Sequence, residues 1–478
     1  MLNTTAHAEP ATEADVPGAA LALMKSAFAA EPYPAIDVRR DRLDRLERAL
    51  RDYSDMLIEA MSEDFSYRSP HESRIYDITA SLGAVRFARR NLKRWMKPRR
   101  VGMPLHLLPA SGRIFPQPLG VVGIIAPWNF PVFMVVPPMA TAFAAGNRVM
   151  VKPSELSPRT SDILARMIGE RFSPEEAMVI NGGEDVARAF SELPFDHLLF
   201  TGSTAVGRKV ALAAAKNLTP VTLELGGKSP VIVTQSADLD VAARRIAWGK
   251  AASAGQICVA PDYALVPRAV IDDFAARVLS AWQEQHPAGA TSQDYSAIIS
   301  ERHLLRLEGM IDEARRSGAT VLQLQGAGEP SKRKLPPSVI VNPSCDLAVM
   351  QEEVFGPLLS LIPYDTRQEA LDFVAARDRP LALYLFTQSQ DDRDVWLRQS
   401  HSGGVCINDV IVHVGCDTLP FGGVGASGNG AYHGDRGFET FSHMKSVFAQ
   451  RRVNGTFLAS PPYGPIKRKI WKLVERIV

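Results

Sequence analysis

Cys258 stands in SAGQICVAPDY, residues 253 to 263, between a glycine turn and a proline. A thiol placed there is either a small buried hydrophobe or a nucleophile whose thiolate attacks an electrophilic carbon. A lone cysteine decides nothing, but candidate helpers lie elsewhere in the chain. Glu224 sits between leucines in TLELGGKSP. A carboxyl group in apolar company tends to a raised pKa and can act as a base near neutrality. Asn129 lies between two prolines in PWNFP. That rigid loop could aim an amide NH2 at a developing oxyanion.

Other stretches look built for a phosphate or a sugar. In HLLFTGSTAVGRKV a strand ends at Phe200, turns through Gly202, and a helix begins about Ser203. Free amides at a helix N-terminus, with glycine allowing close approach, suit a pyrophosphate. The spacing Gly202 to Gly207 is G-x-x-x-x-G, and an ordinary strand–helix turn accounts for it as well. VMVKPSELS delivers Lys152 and Glu155 to the carboxyl end of a strand, where doubly wound sheets receive ligands. A ribose-gripping pair and a plain surface pair both fit. QEEVFGP offers Glu353 and Phe355 in a turn.

The elements around these residues alternate. VVGIIAP, RVMVKPS, AMVINGG and HLLFTGS are short apolar runs closed by Pro, Gly or Ser, and helical stretches separate them. That alternation predicts an α/β fold with parallel sheets and helices on both faces. A second series runs from PVIVTQSADLD to GGVCIND, with a boundary near Leu223. Residues 20 to 100 are helical and charged. Their basic end, RFARRNLKRWMKPRR, reads as a solvated helix face, since no aromatic platform accompanies it.

Bulk properties narrow the function classes. With 478 residues, more than one domain is expected. A net charge of +2 gives no global pull toward nucleic acid or anionic membrane. The four cysteines, at 258, 345, 406 and 416, form neither a metal motif nor a disulfide framework, so no metal is expected and a reducing cytoplasm fits. The N-terminal twenty residues lack the basic start and apolar core of a signal peptide. The apolar run from Leu119 is broken by Pro127, Pro131, Pro137 and Pro138, so no membrane span is expected. The tail GPIKRKIWKLVERIV carries Ile466, Ile470, Leu473 or Val474, and Ile477 at helical spacing among basic residues. It predicts an amphipathic helix of about four turns. Such a helix could touch a membrane surface, although packing on protein is the simpler expectation.

Taken in order, P-W-N-F-P, K-P-S-E, F-T-G-S-x-x-x-G, E-L-G-G-K, G-Q-x-C, E-E-x-F-G-P and P-F-G-G-x-G-x-S-G resemble the aldehyde dehydrogenase superfamily, from about residue 20 to 450. CVAPDY, GGVGASGNGAYHG and FETFSH look most like its class 3 branch, and the whole looks most like the bacterial coniferyl aldehyde dehydrogenases. The resemblance implies an NAD(P)-dependent oxidation of an aldehyde, aromatic or medium-to-long, to the acid. It makes Cys258 the nucleophile, Asn129 an oxyanion donor and Glu224 the base that activates water. It assigns Lys152 and Glu155 to the adenosine ribose, Gly202, Ser203 and Gly207 to the pyrophosphate, and Glu353 with Phe355 to the nicotinamide end. It places Trp248 near the substrate, where core packing is the alternative. NAD is the expected cofactor, with NADP tolerated. The nucleophile needs surroundings that favour its anion.

Two positions depart from the family. Ser253 stands where asparagine is usual, and Ile257 where threonine is usual. The implied architecture is a Rossmann-type cofactor domain (20–103 and 119–223), a catalytic domain (224–439) and a small oligomerisation arm (104–118 and 440–453). A flexible N-terminal arm (1–19) and the tail (454–478) complete it, in a homodimer. Two rivals remain: an enzyme that passes the acyl group to coenzyme A, and a non-catalytic binding or structural protein on the same fold.

Overall fold

A computed structural model describes residues 16–324 and 333–476. The first element is the helix Val16–Ala30. It begins inside the segment 1–19 expected as a flexible arm, of which residues 1–15 lie outside the described residues. Its buried Ala20, Leu21 and Met24 join a cluster with Phe190, Phe195 and Leu198, which explains why this stretch is ordered.

Six strands form the first sheet, in the order Gly428–Asn429, Val221–Leu225, His197–Gly202, Val121–Ile125, Arg148–Lys152, Ala177–Val179. All pairings are parallel except that of Gly428–Asn429. From Val121–Ile125 the chain steps one way to Arg148–Lys152 and Ala177–Val179. It then returns to the other side for His197–Gly202 and Val221–Leu225. The reversal opens a crevice between the carboxyl ends of Val121–Ile125 and His197–Gly202, where open α/β sheets receive ligands.

Seven strands form the second sheet: Thr320–Gln323, Ser338–Val341, Leu358–Tyr364, Tyr263–Pro267, Pro230–Val233, Ala382–Phe386 and Gly404–Ile407. Only Thr320–Gln323 runs antiparallel. One continuous apolar core joins residues of both sheets. The α/β class with parallel sheets is therefore as the alternation predicts. The expected boundary near Leu223 does not cut the chain cleanly. Val221–Leu225 belongs wholly to the six-stranded sheet, and Gly428–Asn429 returns to it.

The third sheet is antiparallel, with Ser111–Pro118 between Arg99–Val101 and Ser442–Ala449. It takes in Arg99–Val101, outside the expected 104–118. The first ten residues of the basic run, 86–95, lie in the helix Ala80–Trp95. Three of its cations are paired: Arg86 with Glu47, Arg89 with Asp44 and Glu47, and Arg94 with Asp435. At the other end the tail helix spans Pro465–Val474, under three turns, with Ile477 outside the described residues. No described helix is long and apolar enough to cross a membrane.

Candidate active site

The crevice at the switch point is a cavity of about 230 Å³. Asn129, Gly202, Ser203, Glu224, Cys258, Glu353 and Phe355 all line it. The cavity thus gathers seven of the residues that the sequence singled out. It also has walls that the sequence reading missed, among them Trp128, His303 and Arg306. Trp128 packs edge-on against both Phe355 and His303.

Glu224 is buried in the strand Val221–Leu225, and neither carboxylate oxygen has a hydrogen-bond partner. Desolvation raises its pKa well above the ordinary carboxyl value. Cys258 is half-buried on the opposite loop. Burial, then the nearby Glu353 and Glu224, push its thiol up to about 12. The expectation that its surroundings favour the anion is therefore not met here. Two carboxyl groups share the cavity with the sulfur, and anionic neighbours oppose a second negative charge.

The nucleophile loop is held in an unusual conformation. After the helix Leu239–Ala251, Ser253, Ala254 and Gly255 take φ of 48°, 52° and 71°. Left-handed backbone costs a non-glycine residue about 1–2 kcal/mol, so other contacts must hold it. Gln256, fully buried, provides several. Its Nε2 donates to the carbonyls of Ser253 (2.9 Å) and Ala297 (3.0 Å), and its Oε1 accepts from Ile299 N (2.9 Å). Its own carbonyl accepts from Asn129 Nδ2 at 3.0 Å. That bond ties the oxyanion candidate to the nucleophile loop and leaves the second amide hydrogen of Asn129 available. Ile257 is buried in the core and Ser253 Oγ is buried without a partner. The two unusual residues thus face inward.

Glu353 sits on a turn fixed from three sides. Lys228 Nζ donates to the carbonyls of Val349 and Glu352, both at 2.8 Å, and pairs with Asp262. Asp262 Oδ2 accepts from Val354 N, and Arg306 donates to the Glu353 carbonyl. A Cβ on Gly226 would lie 2.0 Å from Glu353 Oε2, so only glycine admits the carboxylate there. Burial, with Asp262 adding, raises the Glu353 pKa to about 8.

Ser203 caps the helix Thr204–Ala215, its hydroxyl accepting from Val206 N, and the first turn of that helix carries no acidic residue. Gly207 does not line the cavity. It packs so closely on Leu225 that a Cβ would meet the leucine Cδ2 at 2.6 Å. Lys152 and Glu155 lie at the carboxyl end of Arg148–Lys152, outside the cavity wall. Lys152 is buried and donates to the Pro153 carbonyl at 2.7 Å. Its ammonium lies 3.7 Å from the half-exposed Glu155. Burial lowers the Lys152 pKa. Trp248 does not line this cavity either. It packs half-buried against the core, near the Tyr76 hydroxyl.

Known proteins resemble this chain over nearly its whole length. The sequence profile of the aldehyde dehydrogenase family matches residues 3–447. A probable coniferyl aldehyde dehydrogenase of Pseudomonas aeruginosa is 47% identical over 96% of each chain. A coniferyl aldehyde dehydrogenase of a Pseudomonas species is 44% identical over 94% of each. The substrate-bound state of AldH from Staphylococcus aureus superimposes with a TM-score of 0.91 at 37% identity, covering 96% of this chain and 99% of that one.

Proposed function

The chain belongs to the aldehyde dehydrogenase family, and from that premise we propose the following course for its reaction. The enzyme oxidises an aldehyde with NAD or NADP. Cys258, its proton passed to water, adds as the thiolate to the aldehyde carbonyl carbon, and the C=O electron pair moves to oxygen to give the thiohemiacetal anion. The free amide hydrogen of Asn129 and the backbone N–H of Cys258 hold the resulting oxyanion. The bound dinucleotide supplies the hydride acceptor, and a thioester remains on Cys258. Glu224 takes a proton from water, the hydroxide adds to the thioester carbon, and the C–S bond breaks to release the acid and the Cys258 thiolate. The observation that carries this reading is the meeting of Cys258, Glu224 and Asn129 in one cavity wall.

The residues present fit the dinucleotide. The helix N-terminus at Ser203 offers its amides to a pyrophosphate with no competing carboxylate in the first turn. Lys152 and Glu155 suit the adenosine ribose, and Glu353 with Phe355 the nicotinamide end. Gly207 supports the turn through its contact with Leu225. The half-exposed Glu155 carboxylate disfavours a 2′-phosphate, so NAD is the better cofactor. The substrate is an aromatic aldehyde of the coniferyl type or a medium-to-long apolar one, as the similarity to the two Pseudomonas proteins supports. The outer strand Ser442–Ala449, with exposed Val447 and Phe448, is the surface through which two copies form a homodimer. Four free cysteines suit a reducing cytoplasm.

Steady-state assays with acetaldehyde, hexanal, benzaldehyde and coniferyl aldehyde test the reading, each with NAD and with NADP. The highest kcat/KM is expected for coniferyl aldehyde with NAD. Acetaldehyde as the best substrate overturns the substrate class. Equal efficiency with NADP overturns the role of Glu155. Turnover by Cys258→Ala above a tenth of wild type overturns the nucleophile.

A further inference from the structure

One segment far from the nucleophile in sequence touches both halves of the reaction centre. It runs from Arg68 to Asp77, through the short helix Pro70–Glu72 and into a π-helix, Ser73–Thr79. Arg68 and Asp77 are fully buried and pair at 2.8 Å. Arg68 Nη1 donates to the Asn129 carbonyl at 2.9 Å, and Asp77 Oδ1 accepts from Val132 N and Phe133 N, both at 3.1 Å. These contacts fix the loop that carries the oxyanion donor.

Glu72 reaches the other half. Its Oε1 accepts from Ser253 N at 2.9 Å, at the first of the three left-handed residues. Its Oε2 accepts from Ser296 Oγ at 2.6 Å, and that hydroxyl in turn accepts from Ser69 N at 3.1 Å. The carboxylate is thereby oriented before it meets the loop. In an α-helix, residues five apart point about 140° away from each other. The i→i+5 bonding of a π-helix brings residues five apart closer together along the axis. Glu72 and Asp77 are five apart, and they hold the nucleophile loop and the oxyanion loop respectively.

We propose that Glu72 is a positioning residue for the nucleophile, holding the left-handed turn at Ser253 so that Cys258 stands in register with Asn129. Ser253 replaces the family's usual asparagine, and its own hydroxyl bonds to nothing, so the turn is held through its backbone N–H by a carboxylate from another part of the chain. The inference rests on Cys258 being the nucleophile. Glu72 itself lies outside the cavity wall.

The test compares Glu72→Ala, Glu72→Gln and Ser296→Ala in the full-length enzyme, with Cys258→Ala as the control for the underlying reaction. Turnover is divided by the number of sites that bind NAD, so that loss of folded protein is separated from loss of register. Glu72→Ala is expected to lower kcat per NAD-binding site by ten- to a hundredfold, with the KM for NAD unchanged within twofold. It should slow alkylation of Cys258 by iodoacetamide by a similar factor. Glu72→Gln keeps a carbonyl acceptor for Ser253 N and should recover to within threefold of wild type. Ser296→Ala leaves the carboxylate in place but less oriented, and should fall between. Should Glu72→Ala fail to fold, Glu72→Gln and Ser296→Ala decide the matter. Wild-type turnover per site and wild-type alkylation in Glu72→Ala overturn the proposal. So does a Glu72→Gln no better than Glu72→Ala, or, where Glu72→Ala cannot be made, a Ser296→Ala with unaltered kcat. Activity in Cys258→Ala would instead overturn the nucleophile assignment, whatever the Glu72 variants do.

Discussion

Glu224 and Cys258 both resist ionisation because burial strips water from the charged form, and for Cys258 the nearby Glu353 and Glu224 add to this. This makes the reactivity of the thiol a measurement of the site. With the thiol pushed up to about 12, iodoacetamide alkylation of the ligand-free enzyme should be slow at pH 7. It should rise about tenfold per pH unit to beyond pH 10. A plateau between pH 8 and 9 would show an ordinary thiol. Replacing Glu224 by Gln removes the base for the second half-reaction. Stopped-flow traces of Glu224→Gln should then show one burst of reduced cofactor per site followed by turnover below a hundredth of wild type. Steady turnover near wild type would make Glu224 structural. Cys258, Glu224 and Asn129 were legible in the sequence because each sits in a short motif that also makes its own turn. Arg68, Glu72 and Asp77 were not. They act through single hydrogen bonds across large separations, 181 residues between Glu72 and Ser253, and such a bond leaves no local pattern.

The parallel strands were readable for the opposite reason. Runs such as Val121–Ile125 and residues 149–151 are almost wholly buried, so they appear as short apolar stretches closed by Pro, Gly or Ser. Short elements escaped. Arg99–Val101 and Gly428–Asn429 have three and two residues, too few for any periodicity, yet they shift both expected domain boundaries. The π-helix escaped because its extra residue per turn cannot be distinguished from helical charge patterning. The tail helix was readable in kind, although not in length. Its Trp471 N–H donates to the Leu458 carbonyl, docking it on the helix Thr456–Ala459, while Ile466 and Leu473 remain exposed. We expect this helix to stabilise the protein by packing. Deleting residues 464 to 478 should lower the melting temperature by a few degrees, with no pelleting of the full-length protein on anionic vesicles. Salt-sensitive pelleting that disappears on truncation would show instead that its basic face, Arg468, Lys469 and Lys472, binds lipid headgroups.

Across the whole molecule, burial holds several titratable groups away from their charged forms, and these set how stability follows pH. Glu353, raised to about 8 by burial, binds a proton more tightly in the folded state. It therefore favours folding as pH falls from about 8 toward the ordinary carboxyl range. The buried histidines act in the other direction. His433 is stacked on Phe421, edge-on to Tyr432, and close to His413. Burial, with His413 adding, lowers its pKa from 6.5 to about 4. Between pH 6.5 and 4 the unfolded chain thus binds a proton that the folded chain refuses, and stability is lost as pH falls through that window. For His433 alone the loss at pH 5 is about 2 kcal/mol relative to neutral pH, from the linkage relation at about 1.4 kcal/mol per unit. Replacing it by phenylalanine keeps the ring stack and removes the titration. His433→Phe should be within about 1 kcal/mol of wild type in urea denaturation at pH 7.5. At pH 5 the comparison should move in favour of the variant by about 2 kcal/mol. An unchanged difference between the two pH values would show that His433 is protonated in the folded protein, and that the acid sensitivity arises elsewhere.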